Sequence, residues 1–422
     1  MIPADNSPSE LGKPKFFYGY VVVGISFLIS MTIYGAMYTF TVFLEPLLAE
    51  FGWSRAATSG AFSLFMVFHG LLYIATGRLT DRFGPRIVIT ICSIFLGLGY
   101  ILMSLIDTIW QLYLVYGVII SIGVSGAFIP LASTIARWFI LKRGVMTGIL
   151  TAGVGVGTML LPRLASWLIE GYGWRNSYVI IGGLLLVVIL LAAQFLRRDP
   201  YQMGLLPDGR NESGAGTENN EATGYWLSAA LRTRQFWLLC VVWAGFLYSI
   251  MATMVHIVIY ATGLGFSPGN AANVMVIIGG FSVIGRLALG YLADRMGIRP
   301  SMMVCLIALS ILLFWLVFTR DMWSVYLFAV VFGFAYGGLV TLASPLVAEL
   351  FGLRSHGVLL GIITFVGTIG GAIGPVMSGY IFDIRESYQL AFLVSAIVAA
   401  MAAVLALLLR PTTGEQGQTN SS

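Results

Sequence analysis

The sequence predicts an all-α membrane protein with twelve transmembrane helices arranged as two pseudo-symmetric halves of six. Three observations lead there. Of 422 residues, 58% are hydrophobic and 10% are charged, against ~25% charged in a soluble domain, so the polar side chains needed to coat a water-exposed surface are missing. A bilayer core of ~30 Å takes about 20 helical residues per crossing, and twelve apolar runs of that order follow one another along the chain. A ten-residue signature, G-x-L-x-D-R-x-G-x-R, occurs twice, 213 positions apart, and each copy closes one of those runs.

Residues 1–15 form a polar N-terminal tail, and the run after Lys15 is too long for a cleavable signal core. The first six runs lie near 18–44, 56–77, 86–105, 109–136, 144–169 and 176–196, giving an N-terminal bundle over 16–196. The first signature, from Gly77 through Asp81, Arg82 and Gly84 to Arg86, joins runs 2 and 3. Residues 197–234 separate the halves, and their stretch 211–224 (NESGAGTENNEATG) has the composition of a flexible linker. The last six runs lie near 236–262, 269–292, 300–318, 323–348, 357–382 and 388–409, a C-terminal bundle over 235–410 followed by a tail, 411–422. The second signature, from Gly290 through Asp294, Arg295 and Gly297 to Arg299, joins runs 8 and 9. The same offset pairs Gly52 and Ser54 with Gly265 and Ser267, Gly144-Val145 and Gly148-Ile149 with Gly357-Val358 and Gly361-Ile362, and Pro162 with Pro375. The chain therefore reads as a duplicated bundle, with its site where the two halves meet.

Charge sets the orientation. Arg55, Arg163, Arg175, Arg320 and Arg385 fall on one side and Arg286 within a span, while the other 17 of the 23 basic residues share the side of both termini. The positive-inside rule places that side in the cytoplasm. The formal charge of +5 is scattered between apolar runs, so no nucleic-acid partner is expected. The three cysteines, Cys92, Cys240 and Cys305, lie inside apolar runs and imply no disulfide framework.

Twelve helices in a six-plus-six repeat, carrying this signature at both positions, resemble the major facilitator superfamily over residues 16–410. Within it, Arg137-Trp-Phe-x-x-Lys142-Arg143-Gly144 and Gly279-Gly-Phe-Ser-Val-Ile-Gly-Arg286 resemble the monocarboxylate transporter and oxalate/formate exchanger branch. The resemblance implies alternating access and a carboxylate substrate held by the arginine of run 8.

The residues point the same way. Arg286 sits eight residues, about 12 Å, inside the end of run 8 at Asp294. An arginine at such depth costs on the order of 2.5–3.5 kcal/mol, so it should face a cavity or a partner. It either binds an anion through its bidentate fork or forms a structural ion pair, for which the span interiors offer almost no acid. The acids Glu45, Glu170, Asp383 and Glu349 all lie at span ends. Ser282 shares the face of Arg286 at i,i+4 spacing. The 213-residue offset gives His69 and Tyr73 as the matching pair in run 2, where His69 either meets substrate or only bonds a neighbouring helix. His256, in run 7, can load a proton near neutral pH and then donate to the substrate anion, or simply anchor the interface. His356 falls in the loop between runs 10 and 11. Tyr34, Tyr38 and Tyr336 are further candidates, because a buried phenol needs a hydrogen-bond partner. Arg163 either lines an outer vestibule or is merely exposed. The Gly153–Gly157 run follows no strand, so it reads as helix packing rather than a dinucleotide loop.

The signatures read as gate parts: Gly77, Asp81, Arg82, Gly84 and Arg86 in one, Gly290, Asp294, Arg295, Gly297 and Arg299 in the other. Asp81 should approach the positive helix start near Gly357, and Asp294 the start near Gly144.

The chain departs from the family at two points. Animal monocarboxylate transporters carry a lysine and an aspartate where Tyr38 and Ser282 stand here. Coupling then passes through His256 or His69, with His256 preferred because the outer half of run 7 can meet external protons directly, travels with the acid, or is absent. Oxalate exchange resembles a pattern with a second cation on run 11, and no Lys or Arg occurs between Gly357 and Asp383. A monocarboxylate of lactate or pyruvate size fits better than a dianion. An oxalate/formate-type exchanger and an efflux transporter for other small organic molecules are the alternatives. The paired acids, metal cluster or activated nucleophile of an enzyme are missing, and no cofactor or metal is expected. The expected partners are a small organic anion, H+ and the lipid bilayer, for a monomeric symporter in the plasma membrane, the inner membrane of a bacterium.

Overall fold

The computed structural model describes residues 17–53, 55–209 and 224–410. Among the described residues eleven helices are long and apolar enough to span a membrane, and one of them, Arg143–Gln194, runs for 52 residues. Gly173 breaks that run with a backbone φ of 76°, so it is two spans joined by a single non-helical residue. The twelve are α1 (Gly19–Phe51), α2 (Arg55–Phe83), α3 (Pro85–Met103), α4 (Ile109–Trp138), α5 (143–172), α6 (174–194), α7 (Arg234–Gly263), α8 (Pro268–Met296), α9 (Ile298–Leu316), α10 (Met322–Phe351), α11 (His356–Arg385) and α12 (Gln389–Leu407). An all-helical bundle is what lipid demands, since each helix satisfies its own backbone polar groups.

Local chemistry sets the ends. Thr108, Thr233, Ser267 and Asp321 cap α4, α7, α8 and α10 with side-chain oxygens. Gly52 closes α1 in the left-handed region at φ 63°, which carries that helix past the predicted end at 44. Helix α4 is not uniform: Tyr113–Ile120 is wound as a π-helix, and the chain turns at Gly126 before Ile129–Trp138 resumes.

Each half packs through glycines. Helix α1 lies on α5 where Gly35 meets Gly157, and α3 on α6 where Gly97 meets Gly182. In the second half α8 packs on α10 through Gly285, Gly333 and Gly337, and α7 on α11 through Gly370 and Gly374. Small residues let these backbones touch, as lipid-embedded helices require. Ile91 and Leu98 of α3, Val187 and Leu191 of α6, Ile311 and Phe314 of α9, and Met401 and Val404 of α12 stay exposed and form the lipid-facing perimeter. The halves meet through α5 against α8 and α2 against α11. Of residues 197–234, the N-terminal part forms short turns (Pro200–Met203, Pro207–Gly209), and Gly224 and Tyr225 pair with the end of α10. Most of the expected linker stretch lies outside the described residues.

Candidate functional site

Two sets of contacts join the halves. The first lies on the face that carries both signatures. Gly357 and Val358 donate their amides to the Asp81 carboxylate at 3.1 and 3.0 Å. Gly144 and Val145 do the same for Asp294 at 2.6 and 2.8 Å. These amides open α11 and α5, where the first N–H groups lack intrahelical acceptors and the helix dipole is positive. Close approach is possible because Gly77 touches Gly357 and Gly290 touches Gly144, backbone on backbone, with no room for a Cβ. Gly84 and Gly297 form the turns after α2 and α8 at φ 82° and 96°.

The four signature arginines do not cross between the halves. Arg82 lies over Phe83 at 5.0 Å and Arg295 over Tyr291 at 4.6 Å. Arg86 donates to Gln194, and Arg299 pairs with Glu349 at 3.0 Å, both within their own half. The basic residue beside the contact is Arg137 of α4, which lies outside both signatures. It is buried, lies 3.5 Å from Asp81 and 3.7 Å from Asp199, and donates to the Leu353 carbonyl at 2.9 Å.

The second set lies at mid-depth around Arg286, which is 5% exposed. Its Nη1 donates to the Thr151 carbonyl of α5 at 2.5 Å, its Nε has no hydrogen-bond partner, and its guanidinium lies 6.0 Å from the Tyr336 ring. Among the described residues no carboxylate pairs with it. Tyr34 and Tyr73 share a hydrogen bond of 3.0 Å. Tyr34 and Tyr38 lie near Arg286 and Tyr336, so these phenols and the guanidinium converge on the seam between the halves, although Tyr38 is 40% exposed rather than buried as expected. The internal symmetry holds in space: a Cβ on Gly148 would lie 2.5 Å from the Arg286 carbonyl oxygen, and one on Gly361 would lie 2.5 Å from that of Tyr73. Thr151 and Thr341, whose hydroxyls bridge α5 and α10 at 3.0 Å, belong to this region and gave no signal in the sequence.

The remaining candidates divide. Ser282 is buried next to α10 but donates to Gly279 of its own helix, so its hydroxyl serves α8 rather than Arg286. His69 is buried between Phe65 and Tyr73, at ring distances of 5.4 and 4.4 Å, and its Nε2 has no partner. His256 is placed differently from the expectation of a substrate contact. Its Nε2 lies 3.0 Å from the Pro375 carbonyl and its Nδ1 3.2 Å from the Tyr388 hydroxyl, which makes it a brace between α7, α11 and the start of α12. A carbonyl can only accept, so Nε2 carries the hydrogen and Nδ1 receives that of Tyr388. His356 is not in a loop; it opens α11, fully buried, with Nε2 3.0 Å from the Ser344 carbonyl. Arg163 is exposed. Among the described residues no group of three His, Cys, Asp or Glu side chains is placed to hold a metal.

The comparisons agree with this architecture. The chain is 26% identical over 419 residues to monocarboxylate transporter 4 of Gallus gallus, covering 96% of this chain and 86% of that protein. It is 25% identical over 394 residues to monocarboxylate transporter 13 of Rattus norvegicus, covering 90% and 86%. Among solved structures, the proton:xylose symporter XylE superposes with a TM-score of 0.74 at 15% identity, over 94% of this chain and 97% of that one. The human organic anion transporter MFSD10 gives a TM-score of 0.71 at 16% identity, over 92% and 99%. The sequence profile of the Major Facilitator Superfamily matches residues 26–309 and again 257–422. With two six-helix halves joined across a mid-depth seam, this chain belongs to the Major Facilitator Superfamily of membrane transporters.

Proposed function

We propose that this chain is a secondary active transporter that carries a small monocarboxylate, of lactate or pyruvate size, by alternating access and in symport with protons. The observation that supports the substrate class is Arg286. A buried guanidinium with one backbone hydrogen bond, an unpartnered Nε and no carboxylate is under-compensated, and a bound carboxylate would restore the balance through two parallel N–H bonds. The phenols of Tyr34, Tyr38 and Tyr336 supply neutral donors around it. A lone cation favours a monoanion over oxalate, whose second charge would stay uncompensated. Two relatives bearing the name monocarboxylate transporter support the same class.

With the arginine-rich face in the cytoplasm, the Asp81 and Asp294 contacts close the inner side. Hydrogen bonds from Arg137, Ser344, Thr151, Arg286 and the two aspartates join the halves between Arg286 and that face. Such a pattern fits an outward-facing state, and rocking of the halves about the seam would break the inner contacts and expose the site to the cytoplasm.

For the proton we favour His69 over His256. The His69 Nε2 is unpartnered, and its ring touches Tyr73, which reaches Tyr34 and through it the field of Arg286. Both nitrogens of His256 are engaged in bracing. Protonation of His69 would add a second positive group near the anion, so proton and substrate would favour one another.

Uptake of labelled lactate into proteoliposomes tests both parts. Arg286→Lys should lose most uptake while expression and melting stay near wild type, since the fork is gone but the charge remains. Wild-type rates in Arg286→Ala would overturn the assignment. His69→Gln should flatten the response to an inward proton gradient yet keep counterflow exchange, whereas His256→Gln should lower the melting temperature and keep the gradient response. The reverse outcome would move coupling to His256, and a gradient-indifferent wild type would end the proposal of symport.

A further inference from the structure

A cavity of about 250 Å³ opens on the signature face, with no residue of the second half in its lining, between the α2–α3 turn and the segment that follows α6. Arg82, Arg86, Arg197 and Arg198 line it, and no acid does. The fold builds this convergence. Gly84 turns the chain at φ 82°, and a Cβ there would meet the stem of Arg198 at 3.5 Å. The Gln194 carboxamide oxygen accepts from Nε and Nη2 of Arg86 at 2.9 and 2.6 Å, which orients that fork. Arg197 donates to the Gln194 carbonyl at 2.8 Å, and the Arg198 Nε is buried with no hydrogen-bond partner.

None of the four is in an ion pair among the described residues. The two acids nearest in sequence are held by other partners, Asp81 by the α11 amides and Arg137, with Arg198 a weaker electrostatic neighbour, and Asp199 by Arg137. The internal repeat offers a control. In the second half Arg299, the counterpart of Arg86, is offset by Glu349 at 3.0 Å. The residue 213 positions before Glu349 is Ala136, so the first half has lost or never had that carboxylate. At the rim, Phe83 and Ile87 are 48% and 49% exposed, which sets apolar surface beside the guanidinium cluster.

We propose that this cavity binds a phosphate-class anion, a phosphodiester or phosphomonoester whose oxygens accept from the convergent arginine forks. Four basic side chains at a membrane-interface rim suit an anionic phospholipid headgroup, and free phosphate shares the same chemistry. The site is distinct from the seam around Arg286.

The test uses the full chain purified in detergent. Its melting temperature and lipid adducts by native mass spectrometry are followed with dioctanoyl phosphatidylglycerol, dioctanoyl phosphatidylcholine and inorganic phosphate as separate probes. Phosphatidylglycerol should raise the melting temperature and bind at least tenfold more tightly than phosphatidylcholine, and Arg197→Gln/Arg198→Gln should abolish the difference. Arg232→Gln/Arg234→Gln, which removes equal charge elsewhere on the same face, should bind as wild type does. Protection by inorganic phosphate equal to that by phosphatidylglycerol would support the site and assign it to a free anion. Arg82→Gln, whose side chain makes no hydrogen bond to another element, repeats the measurement if the double variant does not purify. Equal phosphatidylglycerol binding by wild type and by these cavity variants would overturn the proposal, as would no preference for either anion over phosphatidylcholine.

Discussion

Asp294→Asn isolates the contact between the halves, because it keeps the shape of the side chain and removes its charge. In the closed state the carboxylate accepts from Gly144 and Val145 at 2.6 and 2.8 Å. A hydrogen bond to a charged group contributes roughly 1.5–3 kcal/mol, and a negative charge at a helix start adds about 0.3–1 kcal/mol. Asparagine keeps one acceptor oxygen but turns an NH2 group towards the second amide. One bond and the dipole interaction are lost, about 2–4 kcal/mol in total. At ~1.4 kcal/mol per tenfold, the ratio of closed to open forms should fall roughly thirtyfold to a thousandfold. Asp294 is half-buried, and salt screening favours the lower end of that range. Asp81→Asn should act alike, and because both contacts hold the same rigid-body motion their effects should add. The assay is the distance between spin labels placed at the signature-face ends of α2 and α11, or of α5 and α8, in nanodiscs. The three native cysteines are buried, which keeps labelling at introduced sites clean. Wild type should give a short distance and the variants a longer, broader one. Identical distributions in wild type and in the Asp81→Asn/Asp294→Asn double variant would refute the reasoning.

Two further outcomes follow from packing and charge. Gly148→Val should lower the melting temperature by an amount equivalent to about 1–3 kcal/mol, since even its Cβ would meet the Arg286 carbonyl oxygen at 2.5 Å; an unchanged melting curve would mean that α5 and α8 can separate freely. On the opposite face, the Trp174 indole N–H, then Arg175, hold the Glu50 carboxyl below its usual range. A depressed folded-state pKa contributes stability above the ordinary carboxylate value of ~4.3 that is lost as pH falls through the lower folded value. Wild type should therefore out-melt Glu50→Gln at neutral pH and lose that advantage on acidification below about 4; parallel profiles would deny the linkage.

The fold was legible because lipid leaves few choices and the repeat supplied a second reading of each element. Glycine carried much of it: Gly77, Gly144, Gly290 and Gly357 recur at one offset because each must leave room for a facing backbone. The partners of Asp81 and Asp294 were legible for the same reason, since a helix start just after a glycine is the natural target for an unpaired acid. Other features depend on helix rotation, which periodicity in an apolar span does not encode. His256 and Arg286 both read as lone polar groups inside spans, yet one turns into its own half and finds two partners while the other turns to the seam and finds one. The Thr151 carbonyl that receives Arg286 could have belonged to any residue of α5. The signature arginines read as one unit with the aspartates because they are adjacent in sequence, but at the end of a helix neighbouring side chains point to different elements, and Arg86 finds Gln194 while Asp81 finds α11.

The two halves agree in backbone and differ in charge. Gly148 meets Arg286 as Gly361 meets Tyr73, so these two side chains occupy equivalent places on opposite sides of the seam. The glycines are under a steric requirement that applies equally to both halves, because each must slide against the other. The side chains are not, because the monoanion we propose as substrate needs one cation. A second arginine at position 73 would cost on the order of 2.5–3.5 kcal/mol at that depth with no second charge to offset it. A tyrosine there supplies a neutral donor at far lower desolvation cost, and its bond to Tyr34 orders the wall opposite the guanidinium. On this reading the symmetry provides the movement, and its local breaking provides the selectivity.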